Sequence, residues 1–154
     1  MNMNLCIGGT FSPLHKGHRL LFETAMANLG TGMLYIGLTC DGFATSSRPR
    51  EALLGYQERK KALEAYLERV GCRRYSIVEI DRTRGIADRS IYLEGIVVSR
   101  ETYPHALDIN KARVRRGFGQ LDIFVVNLVK NRQGKEIRAR YIRNNEMDRE
   151  GRPR

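Results

Sequence analysis

No stretch of this 154-residue chain is apolar for long enough to cross a bilayer: the longest runs, such as Ile123–Val126 and Ile96–Val98, fall far short of the roughly 20 residues a spanning helix needs. The first residues, MNMNLCIGG, have neither a basic start nor a sustained apolar stretch, so they read as a first strand and not as a signal peptide, and a cytoplasmic location is expected. Cysteine is scarce. Cys6, Cys40 and Cys72 form an odd set without CxxC spacing, which argues against a disulfide framework and against a cysteine zinc site. Internal repeats, low-complexity tracts and interdomain linkers are missing, and the length is near the commonest single-domain size, so one domain over 1–154 is expected. Acidic residues are in the minority, 17 against 27 Lys and Arg, for a net charge of +10. The last 25 residues carry half of that excess, with nine bases against four acids. Such a balance attracts anions, either nucleic acid or a polyphosphate nucleotide. No RRM, KH or aromatic-rich sheet motif accompanies the charge, so nucleic acid is not the expected partner.

What is present is a regular alternation. Leu5–Gly8, Met33–Leu38, Tyr75–Ile80, Gly95–Val98 and Leu121–Val126 read as short buried strands. Between them, Leu21, Phe22, Ala25, Met26 and Leu29 recur on one helical face closed by Gly30, and Leu63, Tyr66, Leu67 and Val70 on another closed by Gly71. Tyr103–Arg116 predicts a helix capped by Gly117, Thr45–Arg50 a polar loop, and residues about 137–143 a short helix before a frayed, proline-containing tail. Buried strands alternating with helices imply an α/β fold, a single doubly wound domain with a five-stranded parallel sheet that binds ligands at the carboxyl ends of its strands. No large apolar helix face is left over, so a monomer is the default expectation.

Gly8-Gly9-Thr10-Phe11-Ser12-Pro13-Leu14-His15-Lys16-Gly17-His18 joins the first strand to the first helix, at that carboxyl edge. Gly8 and Gly9 allow backbone to approach a ligand, and amides at a helix start supply partial positive charge suited to phosphate. The spacing matches neither GxGxxG nor GxxxxGK[ST], which excludes a Rossmann dinucleotide loop and a Walker loop. His15 and His18, three apart, can aim two imidazole N–H groups at one anion. No nearby Cys, Asp or Glu supplies a third ligand at helical spacing, so zinc is a weak alternative.

These eleven residues resemble the GTFDxxHxGH signature of the nucleotidyltransferase superfamily, and Tyr35–Thr39, Tyr56–Arg59, Leu93–Tyr103 and Asn110–Arg113 are similar to the archaeal type of phosphopantetheine adenylyltransferase, a likeness running from about Leu5 to Pro153. The resemblance implies a Rossmann-like fold of the nucleotidyltransferase type and a Mg2+-dependent transfer of AMP from ATP to 4′-phosphopantetheine, giving dephospho-coenzyme A and pyrophosphate in coenzyme A biosynthesis. It implies that Thr10 and the Phe11 amide contact the acceptor phosphate and the α-phosphate, that His18 stabilises the transition state, and that His15 binds the triphosphate. Ser99 and Thr102 would wall the nucleotide site, with Asn110 and Arg113 in the same pocket. The metal would be held by phosphate and water, with no protein ligand.

Three departures mark this chain. Ser12 stands where the motif usually has Asp. Ile137-Arg138-Ala139-Arg140-Tyr141-Ile142-Arg143 replaces a serine-rich segment that grips the β- and γ-phosphates, so Arg138 and Arg140 become candidates for that grip, with Arg143 at the family's arginine position. Thr45, Ser46 and Ser47 occupy the stretch where a lysine commonly meets the phosphates, and Arg48 is the first base, the candidate acceptor contact. Two other readings stay open: a different acceptor (nicotinamide mononucleotide, FMN or a cytidylyl-transfer substrate), or a catalytically impaired nucleotide- or RNA-binding homologue.

Overall fold

The structure is a computed structural model that describes residues 2–47, 52–82, 84–127 and 129–154. Five strands, β1 (Leu5–Gly9), β2 (Leu34–Thr39), β3 (Tyr75–Ile80), β4 (Gly95–Ser99) and β5 (Asp122–Val126), form one parallel sheet in the order β3-β2-β1-β4-β5. The helices are α1 (Lys16–Leu29), α2 (Asp41–Ser47), α3 (Tyr56–Arg69), α4 (Tyr103–Arg115) and α5 (Ala139–Arg143). Because side chains alternate along a strand, β1 sends Leu5 and Ile7 to one face and Cys6 to the other, and β4 divides Val97 from Ile96 and Val98 in the same way. Phe22, Ala25 and Leu29 of α1 and Leu63, Tyr66 and Leu67 of α3 pack on the first face. Ala106 and Ile109 of α4, with Ala87 and Leu93 from the 81–94 connection, cover the second. The sheet is doubly wound, and its winding reverses between β1 and β4, where a crevice opens at the carboxyl ends.

Two expectations are corrected. Of the stretch Thr45–Arg50 read as a polar loop, Thr45–Ser47 is the end of helix α2, which begins at Asp41, and residues 48–50 lie outside the described residues. The tail does not fray: Met147 is fully buried, Met147 and Pro153 form a β-bridge, Lys16 N donates to Arg149 O at 3.0 Å, and Glu150 pairs with Arg19. A buried apolar side chain and main-chain hydrogen bonds anchor a segment that composition alone reads as free. Tyr103, Leu107 and Val114 lie exposed along one face of α4, a modest apolar stripe that the periodicity did not single out.

Candidate active site

The crevice between β1 and β4 holds a cavity of about 850 Å³. Gly8, Gly9, Thr10, Phe11, His15 and His18 line one side, Ser99 and Thr102 another, and Arg138, Arg140 and Arg143 close it from the C-terminal segment. Distant parts of the chain therefore converge where an open α/β sheet binds its ligands.

His15 is the N-cap of α1, and its imidazole does the capping. Nδ1 accepts from Gly17 N at 3.0 Å and His18 N at 3.4 Å, while His15 N donates to His18 Nδ1 at 3.3 Å. This is a reciprocal capping box built from two imidazoles. Both Nδ1 atoms accept, so in each neutral ring the proton sits on Nε2. The rings stack with centroids 3.7 Å apart. Burial, aided by Arg19 and Arg143, lowers the His15 pKa to about 4; burial and His15 hold His18 well below its ordinary value. The pair is neutral at physiological pH, presenting two Nε2–H donors to the cavity.

The glycines divide by purpose. A Cβ on Gly9 would strike the Phe11 ring at 2.8 Å and one on Gly17 the His15 ring at 2.8 Å, so these two make room for protein side chains. At Gly8 nothing lies nearer than Gly37 O at 3.9 Å, which leaves its face open to a ligand. Phe11 is buried and adopts φ 51°, an unusual conformation for an aromatic residue, with its ring edge-to-face on His18 at 4.9 Å. Ser12 does structural work: its Oγ accepts from Leu54 N at 2.8 Å, and its carbonyl accepts from Arg143. At the other wall, Ser99 N donates to Thr102 Oγ1 at 3.1 Å, which closes the turn into α4.

Asn110 and Arg113 do not join the cavity. Asn110 exchanges hydrogen bonds with the Leu121 backbone at 2.7 and 3.0 Å, and Arg113 donates to the carbonyls of Gly119, Ala87, Ser90 and Leu93. Their polar atoms are spent on tying the 87–93 and 119–121 connections to α4, so the expectation of a pocket role is corrected. Arg138 does reach the cavity, but its guanidinium is paired with Glu136 and, at 2.9 Å, with Glu101. Arg48 lies outside the described residues.

Sequence reasoning missed two features. His105 lines the cavity, so all three histidines of the chain gather there; its place three residues after Thr102 was the available signal. Arg59 of α3 is completely buried and donates to Leu54 O, Thr10 O, Thr39 Oγ1 and Asp41 Oδ1 at 2.8–3.2 Å. Among the described residues, no group of three or more His, Cys, Asp or Glu is placed to hold a metal ion, and no helix is long and apolar enough to cross a membrane.

Two neutral imidazoles and a set of arginines around the switch-point crevice of a parallel sheet suit a ligand rich in anionic oxygens, whereas the first amides of α1 are already taken by His15 and Arg149 O. The chain belongs to the cytidylyltransferase-like family, whose pattern matches residues 6–145. It is 40% identical over 147 residues to the phosphopantetheine adenylyltransferase of Thermococcus kodakarensis, covering 96% of this chain and 88% of that protein. A solved structure of a protein of unknown function from Archaeoglobus fulgidus is 31% identical, with TM-score 0.74 over 88% of this chain and all of that one. The bifunctional NMN adenylyltransferase/ADP ribose pyrophosphatase of Francisella tularensis shares the fold at TM-score 0.63 and 16% identity, over 92% of this chain and 41% of that one.

Proposed function

We propose that the chain transfers AMP from ATP to 4′-phosphopantetheine, releasing pyrophosphate and forming dephospho-coenzyme A. The observation that carries this reading is the pair of neutral imidazoles, His15 and His18, held by each other's backbone at the α1 start in a chain 40% identical to named phosphopantetheine adenylyltransferases. An oxygen of the acceptor phosphate attacks the α-phosphorus in line, and the bond to the β-phosphate's bridging oxygen breaks. The acceptor is already ionised, so no protein base is needed, and catalysis is positioning plus electrostatic stabilisation. His18 Nε2–H donates to the oxygens on which charge develops; Thr10 and the Phe11 amide hold the acceptor phosphate and α-phosphate; His15, Arg140 and Arg143 hold the triphosphate. Ser99 and Thr102 wall the nucleotide. Arg48 is assigned to the acceptor phosphate on sequence grounds alone.

In this reading a magnesium ion comes in with the triphosphate, is completed by water and would neutralise charge on the leaving pyrophosphate. The protein works in the cytoplasm as a monomer in this reading; three half-exposed apolar side chains on α4 are of a kind monomers carry. The test is mass spectrometry of products after incubation with ATP, magnesium and each candidate acceptor. Dephospho-coenzyme A is the expected product. Product from nicotinamide mononucleotide or FMN instead would change the acceptor, and binding of nucleotide or RNA with no transfer would replace the enzyme reading.

A further inference from the structure

We infer that Arg84 is a specificity-determining residue for the acceptor, a fixed donor that holds a carbonyl or carboxylate oxygen on the acceptor's tail, away from its phosphate. The inference rests on the adenylyl-transfer reading of the site. It begins with the distribution of cations around the cavity. Arg138, Arg140 and Arg143 come from the C-terminal segment, and Arg84 from the connection after β3. In the sheet order β3-β2-β1-β4-β5, His15 and His18 follow β1 and the nucleotide wall of Ser99 and Thr102 begins at the end of β4. A cation delivered after β3 therefore reaches the cavity from the side left to the acceptor. Ile80, Ile86 and Ile109 also line the cavity, the first packed against Gly85 and the other two in the apolar cluster beneath α4, which suits a tail of methylene and amide groups better than a second polyphosphate.

The two edges of the guanidinium are used differently. Arg84 Nε donates to Asp108 Oδ2 at 2.8 Å and Nη2 to Asp108 Oδ1 at 3.3 Å, so α4 fixes one edge of the fork. Nη1 stands 4.0 Å from Asp88 Oδ2, past hydrogen-bond reach, and that buried carboxylate oxygen has no hydrogen-bond partner among the described residues. Asp108 thus keeps the fork from rotating and Asp88 draws it in by charge, while no described residue accepts from Nη1. Arg82 and Arg116 also face Asp88, at 3.0 and 3.6 Å, so three guanidiniums share two carboxylates and the cluster keeps one positive charge. Arg113 is the contrast: its donors go to backbone carbonyls, and it lies outside the cavity lining. A guanidinium only donates, so what Arg84 meets on a ligand is an acceptor oxygen, with a carboxylate bound more strongly than a neutral carbonyl. A fork fixed before the ligand arrives loses little rotamer freedom on binding.

4′-Phosphopantetheine and 4′-phosphopantothenate carry, at the same distance along the chain from the phosphate, an amide carbonyl and a carboxylate, so the pair reports what Arg84 meets. Arg84→Gln removes the charge and the fork, and Arg84→Met is the second variant should glutamine not fold. For each, KM for ATP and for 4′-phosphopantetheine, inhibition by 4′-phosphopantothenate and thermal melting are measured. Either variant is expected to raise KM for 4′-phosphopantetheine at least about threefold, to raise KM for ATP less, and to weaken inhibition by 4′-phosphopantothenate by the larger factor, since a carboxylate loses an ion pair as well as a hydrogen bond. Arg116→Ala removes another cation from Asp88 but lies outside the cavity lining, and is expected to change the acceptor KM less than Arg84→Gln does. A folded Arg84 variant with a smaller rise overturns the inference, as do an ATP KM that rises as much as the acceptor's and a carboxylate loss no larger than the carbonyl loss. An Arg116→Ala effect as large as that of Arg84→Gln overturns it too, because the cluster would then be structural only, and so does a failure of 4′-phosphopantothenate to inhibit active wild type. Wild-type protein that makes no dephospho-coenzyme A removes the site reading and this inference with it, whereas an active wild type with an indifferent Arg84→Gln removes the inference alone.

Discussion

An imidazole has two nitrogens, and assigning one to the helix backbone decides what the other is for. In His15 and His18 the Nδ1 atoms cap α1, so each ring faces the cavity with a fixed Nε2–H, and burial keeps both neutral. A neutral donor stabilises oxygen charge as it develops without binding a ground-state anion as strongly as an imidazolium would. His18→Ala should therefore lower kcat by roughly 10²–10³, while ATP affinity by titration calorimetry stays within a few-fold. Equal losses in both would make His18 a binding residue only. The residue types and their spacing were legible in the sequence; the tautomer was not, because it depends on backbone amides placed by the turn. The glycines show the same limit. Gly8 and Gly9 both read as room for a ligand, yet the Phe11 ring fills the space at Gly9, and only three-dimensional packing separates it from Gly8.

The elements were legible where apolar periodicity is strong. β3 runs Tyr75–Ile80 as its pattern predicts, and α4 ends one residue before its expected limit because Gly117 terminates it in the left-handed conformation. α2 went unseen because Asp41–Ser47 has no apolar stripe to announce it, and strand order is a property of pairing that no single segment carries. Arg59 closes the Tyr56–Arg59 segment of the family likeness, but its burial was not legible, since a basic residue on a polar-looking helix ordinarily faces solvent. The C-terminal segment is the element where chemistry and pattern diverge most. Arg138 is the N-cap residue of the five-residue α5 and is engaged by Glu101 and Glu136, and both it and the more exposed Arg140 line the cavity. If these arginines grip the β- and γ-phosphates, Arg138→Ala with Arg140→Ala should weaken ATP much more than AMP, which lacks those phosphates. Each lost charge-assisted contact costs on the order of 1.5–3 kcal/mol, less at Arg138 to the extent that its carboxylate partners already offset its charge. Calorimetric titration of the double mutant at physiological salt measures the ratio, and an unchanged ATP-to-AMP affinity ratio would remove both residues from the site.

At the scale of the whole molecule, the +10 charge is not a uniform basic surface. Arg59 and Arg113 are interior, and Arg82, Arg84 and Arg116 surround the buried Asp88. This internal use of cations, with histidines kept neutral beside them, makes folding sensitive to acid in a window the pKa shifts define. His15 falls from 6.5 to about 4 and His18 well below 6.5, so between those values the unfolded chain binds protons that the folded chain refuses. Stability then rises with pH across that window and is lost as pH falls from about 6.5 toward 4. The carboxylates held low, Asp108 by Arg84, Asp148 by the Arg152 amide and Glu150 by Arg19, act mainly in a lower window: their contribution is complete above the ordinary carboxylate range and is lost as pH falls through that range and below it. The two effects are therefore separable. Denaturant unfolding in phosphate-free buffer should show wild-type stability declining steadily from pH 6.5 to 4.5, with the complete His15 contribution on the order of 3 kcal/mol. In His15→Asn the side chain still caps α1 but no longer titrates, so stability at pH 7 should change by only about 1 kcal/mol and the acid slope should fall by roughly half, His18 supplying the remainder. A slope equal to that of wild type would show that His15 protonates as freely in the folded protein as in the unfolded chain, and the neutral pair on which the catalytic reading depends would then be lost.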